Sequence, residues 1–330
     1  MYVTRQRAIS RFALPASVML FASLAHADWF GERIDLMGTS VSVELWHEDA
    51  VEAERLVAAV IAEYRRIDEL MSTYKATSEI SRVNEAAASA AVPIGEEMFA
   101  LIERAQEISA RSDGAFDISY ESVGYLYDFR RRQRPDAAQV SASLVSVDYR
   151  AIELDAQLST IRFAREGMRI NLGGIAKGYA VERAAQWLQA RGIEHAVLNA
   201  GGDTRVLGDR RGQPWVIGIR HPRAEDDVIT RLPLVNEAIS TSGDYERFFE
   251  EGGERVHHII NPGTGQPTDE LMSVTVIGPD AVLTDGLSTT LFVLGMDKGL
   301  TLIEDYVGYE AIIVDRSGQL RFSSGLAEPQ

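Results

Sequence analysis

The chain has 330 residues, 45% of them hydrophobic, and a formal net charge of −16; it can bury a large core and lacks the basic footprint that a phosphate backbone demands. These numbers argue against a disordered chain and against nucleic acid as a partner, and they leave any anionic substrate dependent on local positive charge or a metal. Cysteine is absent, which removes disulfides, thiolate metal sites and a cysteine nucleophile.

Residues 1–27 read as a signal peptide. Arg5, Arg7 and Arg11 precede the apolar stretch FALPASVMLFASLA, which ends in the A-x-A cleavage pattern Ala25-His26-Ala27. The apolar run is short for a membrane span, so cleavage before Asp28 is the expectation. Removing three arginines and no acid takes the formal charge from −16 to −19. The expected product is a periplasmic protein with a single domain over residues 28–330 and no later membrane span.

The alternating run SVSVEL predicts a strand with Val41, Val43 and Leu45 on one face. Leu56, Val60, Ile61, Tyr64, Ile67 and Met71 then recur at three-and-four spacing and predict a helix over about 51–71. Met98, Leu101, Ile102, Ala105 and Ile108 predict another over about 96–111, with Gly114 just past its end. Residues 125–160 open on the arginine-rich FRRRQRP and read as an irregular surface loop before a hairpin, Ala151–Leu154 with Thr160–Phe163. From residue 170 a short strand, a glycine turn and a helix are expected, then strands in AVLNAGGD, WVIGI and SVTVI. A helix from about Asp285 and a strand pair in EAIIVD and QLRFS complete the pattern. Helices and strands mix without a βαβ repeat, which predicts an α+β fold.

Four groups of residues could carry chemistry. The glycine-rich turn Leu172 to Gly178, set before a helix and carrying Lys177, suits close approach to a phosphate or a plain structural turn. Asp285 and Thr289 stand four apart, which on a helix places two hard oxygen donors on one face; an Asp cap is the simpler reading of the same spacing. His257 and His258 on a strand would point to opposite faces, leaving one for a site and the other for the surface. Asn199 to Asp203 could bring backbone against a ligand, while Tyr74 and Phe116 set aromatic rings in polar loops.

Taken in order, MGT (37–39), MSTY with SEISRVN (71–84), GAFD (114–117), NLGGIAKGYAVE (171–182), NAGGD (199–203), TSGDYERFF (241–249), HHIINPGTG (257–265) and TDGLSTTLFVLG (284–295) closely resemble the ApbE family of FAD:protein FMN transferases. The resemblance implies a T-fold-related α+β architecture of mixed sheets and packed helices around a flavin-binding cleft. It implies FAD as substrate, Mg²⁺ at the pyrophosphate, and transfer of FMN to a Thr or Ser of a target flavoprotein, membrane-bound redox-pump subunits among the family's targets. Carried over by motif, Met37, Tyr74, Ala115, Phe116, Asp117, Asn171, Lys177 and Ile260 would contact FAD. Gly174, Asp285 and Thr289 would hold the metal, and His258 would act as general base. Many relatives carry Asp where this chain has Asn171 and Asn261, and the stretch ISYESVGYLYDFRRR departs from the commoner Thr-Val-Gly-Pro continuation. Two other activities would use the same ligand site: hydrolysis of FAD to FMN and AMP, or flavin binding without chemistry.

Overall fold

The computed structural model describes residues 27–224 and 227–326, so the signal-peptide reading of the leader lies outside the described residues. Eight strands form the main sheet: β1 (Asp28–Leu36), β2 (Thr39–His47), β3 (Ala196–Ala200), β4 (Asp203–Leu207), β5 (Ala238–Gly243), β6 (Leu271–Gly278), β7 (Glu310–Asp315) and β8 (Leu320–Phe322). Their order in space is their order in the chain, and every neighbouring pair is antiparallel. The β1–β2 turn is Met37-Gly38, both at positive φ (54° and 70°), the conformation that tight two-residue hairpins require.

Three long helices cover one face. Helix α1 (Ala50–Met71) lies on β1 and β2, α2 (Ala176–Gln189) on β3 and β4, and α3 (Ala281–Leu294) on β5 and β6. Period-two alternation divides the sheet's side chains between its faces. Leu207 and Ala238 join the core under the helices, whereas their neighbours Val206 and Ile239 point the other way, against a hairpin formed by Trp215–Arg220 and Val228–Leu234. With both faces covered, β6 is buried at every position and reads as a continuous apolar run with only Ser273 and Thr275 interrupting it. The main core also takes in Ile102 and Ile108 from the helix Glu96–Arg111, and Ile152 and Ile161 from a small three-stranded sheet.

Strand β2 has Val41, Val43 and Leu45 buried, as expected, and both early helices carry their apolar stripes inward. Five expectations need correction. The helix expected near Asp285 starts at Ala281, because Asp280 caps it by accepting from the Val282 and Leu283 N–H groups; Asp285 is one turn inside. The stretch before the glycine turn is not a strand. Its partner is a side chain instead: Asn84 accepts the Ile170 N–H at 2.7 Å and donates to the Ile170 carbonyl at 2.9 Å, supplying what a neighbouring strand would.

The loop over 125–160 contains a helix, Ala137–Leu144, whose start is a capping box between Asp136 and Gln139. The hairpin after it pairs Ile152–Asp155 with Thr160–Phe163, one residue later on its first strand than expected. His257, expected at the surface, is buried. Its Nε2 meets the Thr268 carbonyl at 2.7 Å, and its ring stands edge-on to Phe292 with centroids 5.7 Å apart. Among the described residues, no helix is long and apolar enough to cross a membrane.

Candidate active site

Helices α2 and α3 touch at Gly178. A Cβ there would fall 2.1 Å from the Ala281 carbonyl oxygen and 2.7 Å from Asp285 Cβ, so only glycine allows this approach. The closeness lets the Gly178 N–H donate to Asp285 Oδ2 at 2.9 Å, and Glu182 accepts the Ala281 N–H at 3.0 Å. The start of one helix is thus tied to the start of the other.

One residue before Gly178, the Lys177 ammonium sits 2.6 Å from Asp203 Oδ2 and 3.3 Å from Asp285 Oδ1. Both aspartates are buried, and among the described residues Asp203 Oδ1 has no hydrogen-bond partner. Burial raises the Asp285 carboxyl well above the usual carboxylate range, the nearby Asp203 adds to the rise, and Lys177 opposes it. Desolvation pulls the Lys177 proton affinity down, but the two carboxylates together outweigh it and the affinity ends above normal.

Thr289, one turn beyond Asp285 on the same face of α3, is partly exposed and reaches Gly174. A Cβ on Gly174 would lie 3.4 Å from Thr289 Oγ1 and 3.2 Å from the Phe116 ring. Thr289 Oγ1 is also 3.2 Å from Ser242 Oγ on β5. Ser288 is fully buried, and its hydroxyl is spent on Ser242 at 2.8 Å and on the Asp285 carbonyl at 2.9 Å.

The histidine arrives from another direction. His258 follows the hairpin strand Glu254–His257, and its N–H donates to the Arg247 carbonyl at 3.1 Å. Its Nδ1 is sealed from solvent without a hydrogen-bond partner among the described residues. Burial, with Arg247, His257 and Lys177 near enough to repel a proton, pushes this imidazole down to about 3, so it is neutral across the physiological range. Arg247 in turn reaches the β1–β2 turn, its Nη2 lying 3.4 Å from the Gly38 carbonyl oxygen.

The remaining positions expected from sequence divide by how much of each side chain is free. Tyr74 is 73% exposed, with Arg130 over its ring at 5.7 Å. Met37 is half-buried in its turn. Asn171 shares its amide between Glu121 Oε2 at 3.0 Å and the Gly173 N–H at 2.7 Å. Asp117 is already occupied: the Ser119 N–H and hydroxyl donate to Oδ1, and the Tyr149 N–H donates to Oδ2. Ala115 is buried, and Ile260 packs in a separate cluster with Val123, Val140 and Phe249. Asp117 and Ile260 thus each also hold a loop in place.

Asp203, Ser242, Arg247 and Glu121 are not singled out by the sequence. Asp203 lies in NAGGD, and Ser242 and Arg247 lie in TSGDYERFF, but nothing local reveals that those stretches meet across β3, β4 and β5.

A buried carboxylate beside a hydroxyl, a glycine turn, a lysine and a neutral histidine is the equipment of an enzyme that acts on a phosphate-bearing substrate. Comparison with known proteins narrows the class. The family model described as "ApbE family" matches residues 37–313, and the chain belongs to that family. An FAD:protein FMN transferase of Klebsiella pneumoniae is 33% identical over 88% of this chain and 90% of its own length, and one of Treponema pallidum is 30% identical over 89% and 86%. Among solved structures, the ApbE protein of Thermotoga maritima superposes with a TM-score of 0.84 at 32% identity, over 90% of this chain and 98% of that one. The flavin transferase ApbE of Vibrio cholerae gives 0.80 at 26% identity, over 91% and 98%.

Proposed function

We propose that this chain moves the FMN half of FAD onto a Thr or Ser hydroxyl of a target flavoprotein and releases AMP. The observation that carries the reading is convergence. Gly174, Lys177, Asp285 and Thr289 meet at the α2–α3 contact, and His258 is brought within electrostatic range of Lys177 from a separate hairpin.

The acceptor oxygen bonds to the FMN-side phosphorus, the pyrophosphate bond to the AMP side breaks, and His258 takes the hydroxyl proton. His258 suits that role because it is neutral and, although Nδ1 is enclosed, the ring as a whole is only half-buried. The negative charge of bound FAD would raise its proton affinity toward a useful range. Lys177, held by Asp203, places a positive charge at the start of α2 where phosphate would rest.

Among the described residues, no three His, Cys, Asp or Glu side chains group closely enough to hold a metal by themselves. The donors present instead fit Mg²⁺, which is held by one or two carboxylates with substrate phosphates completing its shell. Asp285, Thr289 Oγ1 and the Gly174 carbonyl would hold it, and the unpartnered Asp203 Oδ1 leaves a second acidic oxygen nearby. When bound, the ion supplies charge neutralisation at the pyrophosphate.

Periplasmic location is part of the same proposal. It is supported by the leader's A-x-A pattern and by β1 beginning at Asp28, where cleavage would leave the new terminus. N-terminal sequencing of the exported protein should begin at Asp28, and an intact Met1 would refute export with cleavage.

The activity is tested by incubating the protein with FAD, Mg²⁺ and a recombinant flavoprotein fragment bearing a candidate threonine, followed by intact-protein mass spectrometry. A covalent FMN adduct is expected. Free FMN and AMP without adduct would identify a hydrolase, and unchanged FAD a carrier.

A further inference from the structure

Glu121 is a buried acid that the transfer chemistry leaves without a role. It opens the short helix Glu121–Gly124 and is 8% exposed, and among the described residues its one side-chain hydrogen bond goes to Asn171 Nδ2, at 3.0 Å. An acid held in so dry a place costs desolvation that an apolar filler would avoid.

The bond it makes has a directional consequence. Asn171 Oδ1 accepts the Gly173 N–H at 2.7 Å, and the Asn171 N–H is fixed to the Ile118 carbonyl at 2.9 Å. With the amide reversed, an NH₂ group would face the Gly173 N–H in either protonation state of Glu121, and the amide carbonyl would face the carboxylate whenever Glu121 is ionised. Burial pushes the Glu121 carboxyl up to about 7, while Asn171 and Arg169 pull against that rise; protonated or ionised, it keeps an oxygen able to accept from Asn171.

We propose that Glu121 is a positioning residue for FAD binding: it locks the orientation of the Asn171 amide and through it the Gly173–Gly174 turn on which the pyrophosphate rests. The proposal deepens the flavin-transferase reading and rests on it.

The test measures FAD affinity of the full chain with Mg²⁺ and no acceptor, by flavin fluorescence, so it does not depend on transfer. Glu121→Ala should weaken FAD binding about tenfold, the scale of one lost orienting hydrogen bond, while Glu121→Gln, which keeps an acceptor, stays within about twofold of the parent. If Glu121 acts through Asn171, Glu121→Ala should cost less than about twofold further once Asn171→Ala is present. In transfer assays the loss should appear in KM for FAD and not in kcat. Additive losses, or a Gln variant as damaged as the Ala variant, would overturn the proposal. Thermal melts establish folding, and if Glu121→Ala does not fold, Glu121→Leu replaces it as the variant without an acceptor. A parent chain that binds no FAD would instead refute the underlying reading.

Discussion

The two ends of the candidate site are built on opposite plans. At the phosphate end, Lys177, Asp203 and Asp285 are locked where two helices touch backbone to side chain at Gly178, and the two carboxylates are removed from water. At the end proposed for the flavin, Tyr74 stands largely in solvent, and the neighbouring loop displays Arg130, Arg131, Arg132 and Arg134, all exposed, on an otherwise acidic chain. The phosphate end resembles a protein core in which charges replace methyl groups. The region around Tyr74 is open surface. Substitutions at the first should therefore damage fold and activity together, and substitutions at the second should affect binding alone.

The sharpest way to break this contrast is Asp285→Ala, which leaves Lys177 and the Gly178 N–H without that partner. Transfer should fall to background and stability by about 3 kcal/mol, the usual cost of breaking a buried pair, read by mass spectrometry and thermal melting. An active, fully stable variant would show that the cluster is not a structural unit.

Next in size, His258→Ala should lower kcat by about 10²–10⁴-fold, the range for a lost general base, while FAD affinity is retained. Gly178→Ala should follow at about 1–3 kcal/mol of destabilisation as the new methyl forces α2 from α3, with transfer reduced in parallel.

A pH test addresses the histidine separately. In the unfolded chain His258 takes up a proton near 6.5, whereas in the folded chain burial, Arg247, His257 and Lys177 hold it down to about 3. Its neutral form thus supports the fold above 6.5, and stability is lost as pH falls from 6.5 toward 3 because only the unfolded chain gains the proton. His258→Asn should flatten the fall in melting temperature between pH 7 and pH 5; an unchanged slope would deny that the ring is so enclosed. The smallest effect belongs to Tyr74→Ala. Stability should move by less than about 0.5 kcal/mol, and FAD affinity should weaken by about 1 kcal/mol, the worth of an aromatic stacking contact.

The elements that could be read from sequence were those whose pattern is local. The stripe from Leu56 to Met71 and the alternation Val41, Val43, Leu45 state their own buried faces, and the structure follows both. Some elements differ from expectation because a local cap moves or creates a helix, as Asp280 and Asp136 do; others differ because a distant residue supplies the missing partner. Ile170 looked like a strand residue because it is apolar and extended, yet Asn84 satisfies its backbone from 86 positions away. His257 looked superficial because alternation allots one of two adjacent residues to solvent, but Phe292 and the Thr268 carbonyl cover it. The site followed the same rule. Asp285 and Thr289 could be paired by their helical spacing, whereas Asp203, Ser242 and Glu121 needed the sheet and loops to be assembled before their roles appeared.

That dependence reaches into how the molecule forms. Strand β2 pairs with β3 by placing Val41 opposite Ala200, which closes a loop of roughly 160 residues before that ladder can exist. A chain with such distant contacts folds slowly, and both ends of the proposed site depend on the finished sheet. A partly folded molecule would therefore hold neither half of FAD well, and FAD, by binding the finished state, should shift the folding equilibrium in proportion to the logarithm of its concentration above the dissociation constant. The substrate would then also act as a selective stabiliser of the completed enzyme.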